Sequence, residues 1–275
     1  MKHFLFLIFF LSVSAFAEIF EVHSVARKES EPGTWIVKFM DGRVGFWKEE
    51  DDALLDARKF TRSVIDAQLS DDYILTDIRI IGYIEQPSST ILETSLFSLP
   101  YTPTVYSNYN QATDILSRMR HYWRDNSQCY DKSHVWAYEE AYYGRFMQKA
   151  FLFFSDSYIG RYNHPWWFHT APYVLVRLNG ETVERMMDPT FAQYPLKFKL
   201  WTDLFMKNKA ECKLVEKYSD YSRHPGEDDC YIIKASIYFW QPRDLEAFET
   251  SGVEIKKFID WEIRHAYKYG FGITL

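Results

Sequence analysis

The dipeptide Asn179-Gly180 stands between the runs "HTAPYVLVRL" and "ETVERMMD", and it constrains this chain more than any other feature. Asn-Gly favours a two-residue turn with positive φ at both positions, whose twist suits two antiparallel strands. Such a turn sets the register. Leu178 faces Glu181, and counting back puts Ala171 opposite Asp188 and His169 opposite Thr190. His169 and Asp188 then share one strand face as diagonal neighbours, about 7 to 8 Å apart at the backbone and within side-chain reach. An imidazole held by a carboxylate suits a catalytic base, because the carboxylate fixes tautomer and orientation. Pro172 supplies no N–H, which suggests an edge strand or a bulge, and a bulge would shift the register. The competing reading is an Asp-Pro turn at a strand end beside an unrelated histidine.

The opening "MKHFLFLIFFLSVSAFA" has one cation, an apolar run and an Ala-Phe-Ala end, as a secretory signal peptide has. The run is short of the ~20 apolar residues of a membrane anchor. Residues 1–17 are therefore expected to be removed, leaving a secreted or periplasmic chain with no stable membrane span. Loss of Lys2 takes the net charge from -6 to -7. An acidic chain without a basic stripe argues against nucleic acid as a partner.

An oxidising compartment makes the three cysteines informative. Cys212 and Cys230 flank a polar loop and are expected to pair, a bridge typically worth ~3 kcal/mol for a loop of this size. Cys129 is left as a free thiol, either buried and inert or reactive.

The overall pattern is α+β. In residues 18–105, "TWIVKFMDGRVGFWK" reads as a hairpin turning at Asp41-Gly42, "EEDDALLDARKFTRSVIDAQL" as an amphipathic helix, and "DYILTDIRIIGYIEQP" as strand. "SLPYTPTVYSNYN" reads as a linker to a second unit, residues 106–275. There "QATDILSRMRHYWRD" and the segment after Cys129 read as helices, "CYIIKASIYFW" as a strand, and "VEIKKFIDWEIRHAYKYG" as a closing helix that stops at a glycine.

Asp125, Asn126 and Ser127 are good N-caps, so a helix is expected to start within a residue or two of Cys129. The unpaired N–H groups and partial positive charge of a helix start favour a thiolate, and the same N–H groups can receive an oxyanion. The alternative is a buried cysteine packing as a small apolar residue. His134 is not its base. Five residues along a helix add ~7.5 Å of rise and ~140° of rotation, which turns the ring away; His134 is expected to pack behind the helix. His164 is a reserve base, and His224 is expected at the surface.

Three blocks, "QCYDKSHVWAYE", "WWFHTAPYVLV" and "ERMMDPTF", together resemble the bacterial protein-glutaminase (protein glutamine deamidase) family. The resemblance puts the nucleophile on Cys129, the base on His169 and the orienting aspartate on Asp188. It implies a papain/transglutaminase-like catalytic domain, preceded by a small α+β pro-region-like domain at 18–105 that covers the site until an activating protease removes it. It further implies deamidation of glutamine in a protein or peptide through a thioester, with no metal and no organic cofactor. The chain has fewer cysteines than a disulfide-rich secreted member, and a longer C-terminal helix. Trp166 and Trp167 are candidates to wall a cleft for the glutamine stem, with plain core packing as the alternative. The same triad would serve a transglutaminase, with an amine as acceptor, or a cysteine peptidase, with a main-chain amide as substrate. A catalytically silent secreted binding module is the reading from a different class.

Overall fold

The computed structural model describes residues 17–48, 63–83, 97–98, 103–224, 226–252, 255 and 257–275. Five strands form the first unit: β1 (Glu18–Arg27), β2 (Thr34–Phe39), β3 (Val44–Lys48), β4 (Ser63–Leu69) and β5 (Ile74–Tyr83). They close into a barrel in the order β1-β2-β3-β5-β4, with the Asp41-Gly42 turn joining β2 to β3 as expected. Strand alternation explains why every residue of β2 is buried. Val37 and Phe39 point inward to Phe20, Val22, Ile65, Ala67 and Leu75. Ile36 points outward and, with Val44 and Phe46, joins the core of the second unit. Each such apolar side chain contributes ~1.5 to 3 kcal/mol when fully buried. The expected amphipathic helix is corrected in part: residues 63–69 are strand β4, while 49–62 lie outside the described residues. The period-two burial of β4 is what a sheet face requires.

The second unit is built on a mixed sheet. Its strands are β7 (Val105–Tyr106), β8 (Gln148–Phe154), β9 (Phe168–Leu178), β10 (Glu181–Met186), β11 (Lys213–Val215) and β12 (Cys230–Ala235). The order is β10-β9-β8-β12-β11, with β7 also beside β9; a separate pair joins β6 (Phe97–Ser98) to β13 (Lys257–Phe258). The described helices are α1 (Tyr109–Arg118), α2 (Cys129–Tyr142), α3 (Asp156–Tyr162), α4 (Phe198–Thr202), α5 (Tyr218–Arg223), α6 (Pro242–Ser251) and α7 (Asp260–Ala266). The closing helix is shorter than the sequence suggested: it begins at Asp260 and ends in a π-helical turn over Tyr267–Phe271, where Gly272 with φ 72° stops it instead of Gly270. Among the described residues no helix is long and apolar enough to cross a membrane.

The β9-β10 hairpin takes the expected register, Leu178 against Glu181 through Tyr173 against Met186, with Asn179 and Gly180 at φ 52° and 87°. Pro172 is neither at an edge nor in a bulge. It pairs with Lys149 of β8 on one side, and on the other its carbonyl accepts the Met187 N–H at 2.8 Å. Its missing N–H therefore falls where β10 has already ended, so the cost is slight and the chain is free to turn away at Asp188. The Cys212–Cys230 disulfide forms, tying the residue before β11 to the first residue of β12.

Candidate active site

Helix α2 begins on Cys129 itself. Gln128 is its N-cap, extended and without a side-chain cap bond, so Asp125, Asn126 and Ser127 do not cap the helix as expected. The helix is buried all round, Tyr130 to Ala137 without a gap, which is the condition of a central helix. Cys129 sits half-buried at its start as a free thiol.

His169 and Asp188 meet as the register requires: His169 Nε2 lies 2.8 Å from Asp188 Oδ2, with both side chains buried. Nε2 being engaged there, Nδ1 is the nitrogen left to face Cys129, whose charge also acts on the ring. Burial works against a charge on this imidazole, yet the Asp188 carboxylate, its hydrogen bond and Cys129 together raise His169 to about 9. The ring is further fixed by aromatic neighbours. Phe205 lies 4.4 Å away between centroids, Phe191 meets it edge-on at 5.3 Å, and Trp166 stacks over it at 6.2 Å. Asp188 is held in turn by Trp201, whose Nε1 donates to Oδ2 at 2.9 Å. Sequence reasoning missed Trp201 and Phe205. They follow Phe198 as an apolar stripe at helical spacing on and beyond α4, a signal for a packed face that says nothing of which carboxylate it meets.

The two tryptophans part company. Half-buried Trp166 flanks the His169 ring, whereas Trp167 is buried against the barrel, its Nε1 donating to the Phe39 carbonyl at 2.7 Å and its ring stacked on His23 at 4.3 Å. Trp167 thus serves the contact between units. His134 packs behind α2, with Nδ1 at 2.6 Å from Lys149 Nζ. His164 is buried between Phe154 and Tyr158, and burial pushes it down to about 4. His224 is at the surface beside Glu227.

The barrel reaches this site through the β2-β3 turn. The Trp167 N–H donates to the Gly42 carbonyl at 3.0 Å, the Val44 N–H donates to the Pro165 carbonyl at 2.8 Å, and Arg43 bridges to Trp166. Gly42, at φ 92°, lies so close to Phe168 that a Cβ would fall 3.1 Å from its ring. The turn therefore lies against the residues that lead into His169. Two barrel lysines grip α3 from its two ends: Lys38 pairs with Asp156, and Lys28 donates to Asn163 at 2.8 Å.

Residues 104–205, which contain all three sequence blocks, match a family model described as glutaminase. Among solved structures, the chain is similar to pro-protein-glutaminase with a TM-score of 0.53 and 12% identity, covering 92% of each chain. It is similar to a mutant of pro-protein-glutaminase with a TM-score of 0.52 and 12% identity, covering 81% of this chain and 83% of that one. At that identity the structural likeness is one of fold, an α+β fold. No curated protein matches the chain by sequence. The resemblance to the protein-glutaminase family read from the three blocks is supported by the family match over the very stretch that carries them.

Proposed function

With residues 104–205 matching the glutaminase family, we propose that this protein is an exported protein glutaminase whose Cys129, His169 and Asp188 hydrolyse the side-chain amide of protein-bound glutamine. The observation that carries the reading is the buried His169 ring, held on Nε2 by Asp188 at 2.8 Å, with Cys129 among the groups that act on it. In the reaction, the Cys129 thiolate attacks the carboxamide carbon, and the Cys129 backbone N–H at the start of α2 receives the developing oxyanion. His169 gives its Nδ1 proton to the departing nitrogen, ammonia leaves, and a thioester remains. Water then loses a proton to His169 as it attacks the thioester, glutamate is released and the thiol is restored. Asp188 holds the ring in one orientation throughout. Half-buried Trp166, stacked on the base, walls the approach for the methylene stem of the glutamine.

Residues 18–105 act in this reading as a pro-region. Support comes from the docking of the Asp41-Gly42 turn against residues 165–168, the stretch that leads directly into His169. The test is ammonia release from a glutamine-rich protein, before and after limited proteolysis within residues 99–110, with Cys129→Ala as control. Release that rises after cleavage and vanishes in the variant is the expected result. No release in any form, from a chain whose Cys129 still reacts with alkylators, would replace the deamidase with another acyl-transfer reaction.

A further inference from the structure

Charge balance at this site is incomplete without a further residue. The reacting state carries a thiolate, an imidazolium and a carboxylate, a net negative charge in surroundings where His169 and Asp188 are almost wholly buried. A buried excess charge costs several kcal/mol unless a counter-charge or hydrogen bonds meet it. Asp188 Oδ2 accepts from both His169 and Trp201, but Oδ1 is buried and accepts no hydrogen bond among the described residues. Lys132 stands three residues after Cys129 on α2, the spacing that puts two side chains on one helix face. It is only 7% exposed. Its ammonium makes no ion pair or hydrogen bond among the described residues, and lies over the Trp123 ring at 5.0 Å.

We propose that Lys132 is a positioning residue of this site, a buried cation that balances the Cys129 thiolate and the Asp188 carboxylate and thereby keeps Cys129 ionised for attack. The charges that act on it fit that role. Burial lowers the Lys132 ammonium from the ordinary lysine value, and Cys129, then Asp188, then Asp131 push it back. Asp131 is the weak member of the three. Burial raises its carboxyl well above the ordinary range, against the Trp240 Nε1 that donates to it at 3.1 Å, so burial weakens its claim on the cation. The Trp123 face adds a cation–π contact that tolerates the charge without consuming it.

The inference rests on the reading of Cys129 as the nucleophile, and its test needs no knowledge of the substrate. The rate of Cys129 alkylation by iodoacetamide is followed from acid to alkaline pH in the full chain, in Lys132→Met and in Lys132→Arg. Removing one buried unit charge from a neighbour on the same helix face moves such a profile by about one pH unit. Lys132→Met is therefore expected to react about tenfold more slowly on the acid side, with Lys132→Arg close to wild type. A folded Lys132→Met whose profile superimposes on that of wild type overturns the proposal. Linkage is reciprocal, so a second arm leaves Lys132 in place. In Cys129→Ala the lysine loses its anionic neighbour, and its titration, followed by nitrogen-15 NMR, must move to lower pH. An unmoved titration there also overturns the proposal, whether or not the methionine variant folds. A wild-type thiol that is inert at every pH would instead remove the nucleophile, and the role of Lys132 with it.

Discussion

Helix α2 separates two buried histidines that begin alike and end in opposite states. His169, in front, and His134, behind, are both nearly inaccessible to water, and burial pushes both towards the neutral ring. In front, the Asp188 carboxylate and Cys129 outweigh burial and raise His169 to about 9. Behind, the neighbour is the Lys149 ammonium, which adds to burial and holds His134 well below its ordinary value. Glu262 lies 3.9 Å from His134 but does not rescue it. Burial and Asp244 raise Glu262 to about 8, so its carboxyl is neutral when the ring would need an anion. Lys149 itself is pushed down to about 7 and donates to the Phe239 carbonyl at 2.9 Å. Depth does not decide what a buried imidazole can do; the sign of one neighbour does.

The sharpest way to break this comparison is to delete each ring. His169→Ala should lower ammonia release of the folded fraction by about 10³-fold or more, with a stability cost of about 2 to 4 kcal/mol from the cavity and the stranded Asp188 carboxylate. His134→Ala should match it in stability and differ in activity, costing about 2 to 4 kcal/mol in urea unfolding through a cavity and a stranded lysine, with activity of the folded fraction within a few-fold. A His134 variant that is stable but inactive would make the rear cluster part of the chemistry.

Asp188→Asn should come next, with activity falling about 10² to 10⁴-fold. It also removes the carboxylate that sets the two rings apart. The His169 titration, followed by carbon-13 NMR of the ring, should drop from about 9 to below the ordinary histidine value of 6.5. If it stays near 9, the carboxylate is not the cause of the difference.

Lys149→Met probes the rear alone. Met in its place leaves His134 Nδ1 and the Phe239 carbonyl buried without their partner, so stability in urea should fall by about 1 to 3 kcal/mol while ammonia release is unchanged. A variant as stable as wild type would mean that the desolvation cost of the ammonium cancels what its hydrogen bonds contribute.

The smallest effect expected is on the pH dependence of stability. The folded value of His169, about 9, lies above its ordinary 6.5. Its contribution is therefore fully present below about pH 6.5 and is lost as pH rises through about 9. Wild type should lose a few degrees of melting temperature between those limits that Asp188→Asn does not lose; parallel curves for the two would count against the pairing.

Much of the His169-Asp188 geometry was legible because it depends on a local rule. Asn179-Gly180 sets a register, and the register carries to Pro172 and the Met187 N–H without a bulge. The start of α2 at Cys129 was legible too, although its cap is Gln128 and not the better cap formers just before it. The barrel was not legible. Val64, Ile65, Ala67 and Leu69 satisfy a helical stripe about as well as a strand, and what makes them β4 is pairing with β1 and β5, contacts distant in sequence. Trp166 and Trp167 could not be told apart either, since which of two adjacent rings meets His169 depends on where the barrel docks. Lys132 looked like an ordinary helix lysine, because nothing in its neighbours announces that α2 is enclosed on every side.

The Cys212–Cys230 bond bears on how a proteolytic digest is read. A cut between those two cysteines leaves both pieces joined, so they migrate as one band on a denaturing gel until a reductant is added. A cut within residues 99–110 leaves no covalent tie between its products, and they separate with or without reductant. Paired lanes run with and without reductant therefore tell removal of the barrel from a nick in the loop after β11, with no mass spectrum and no antibody.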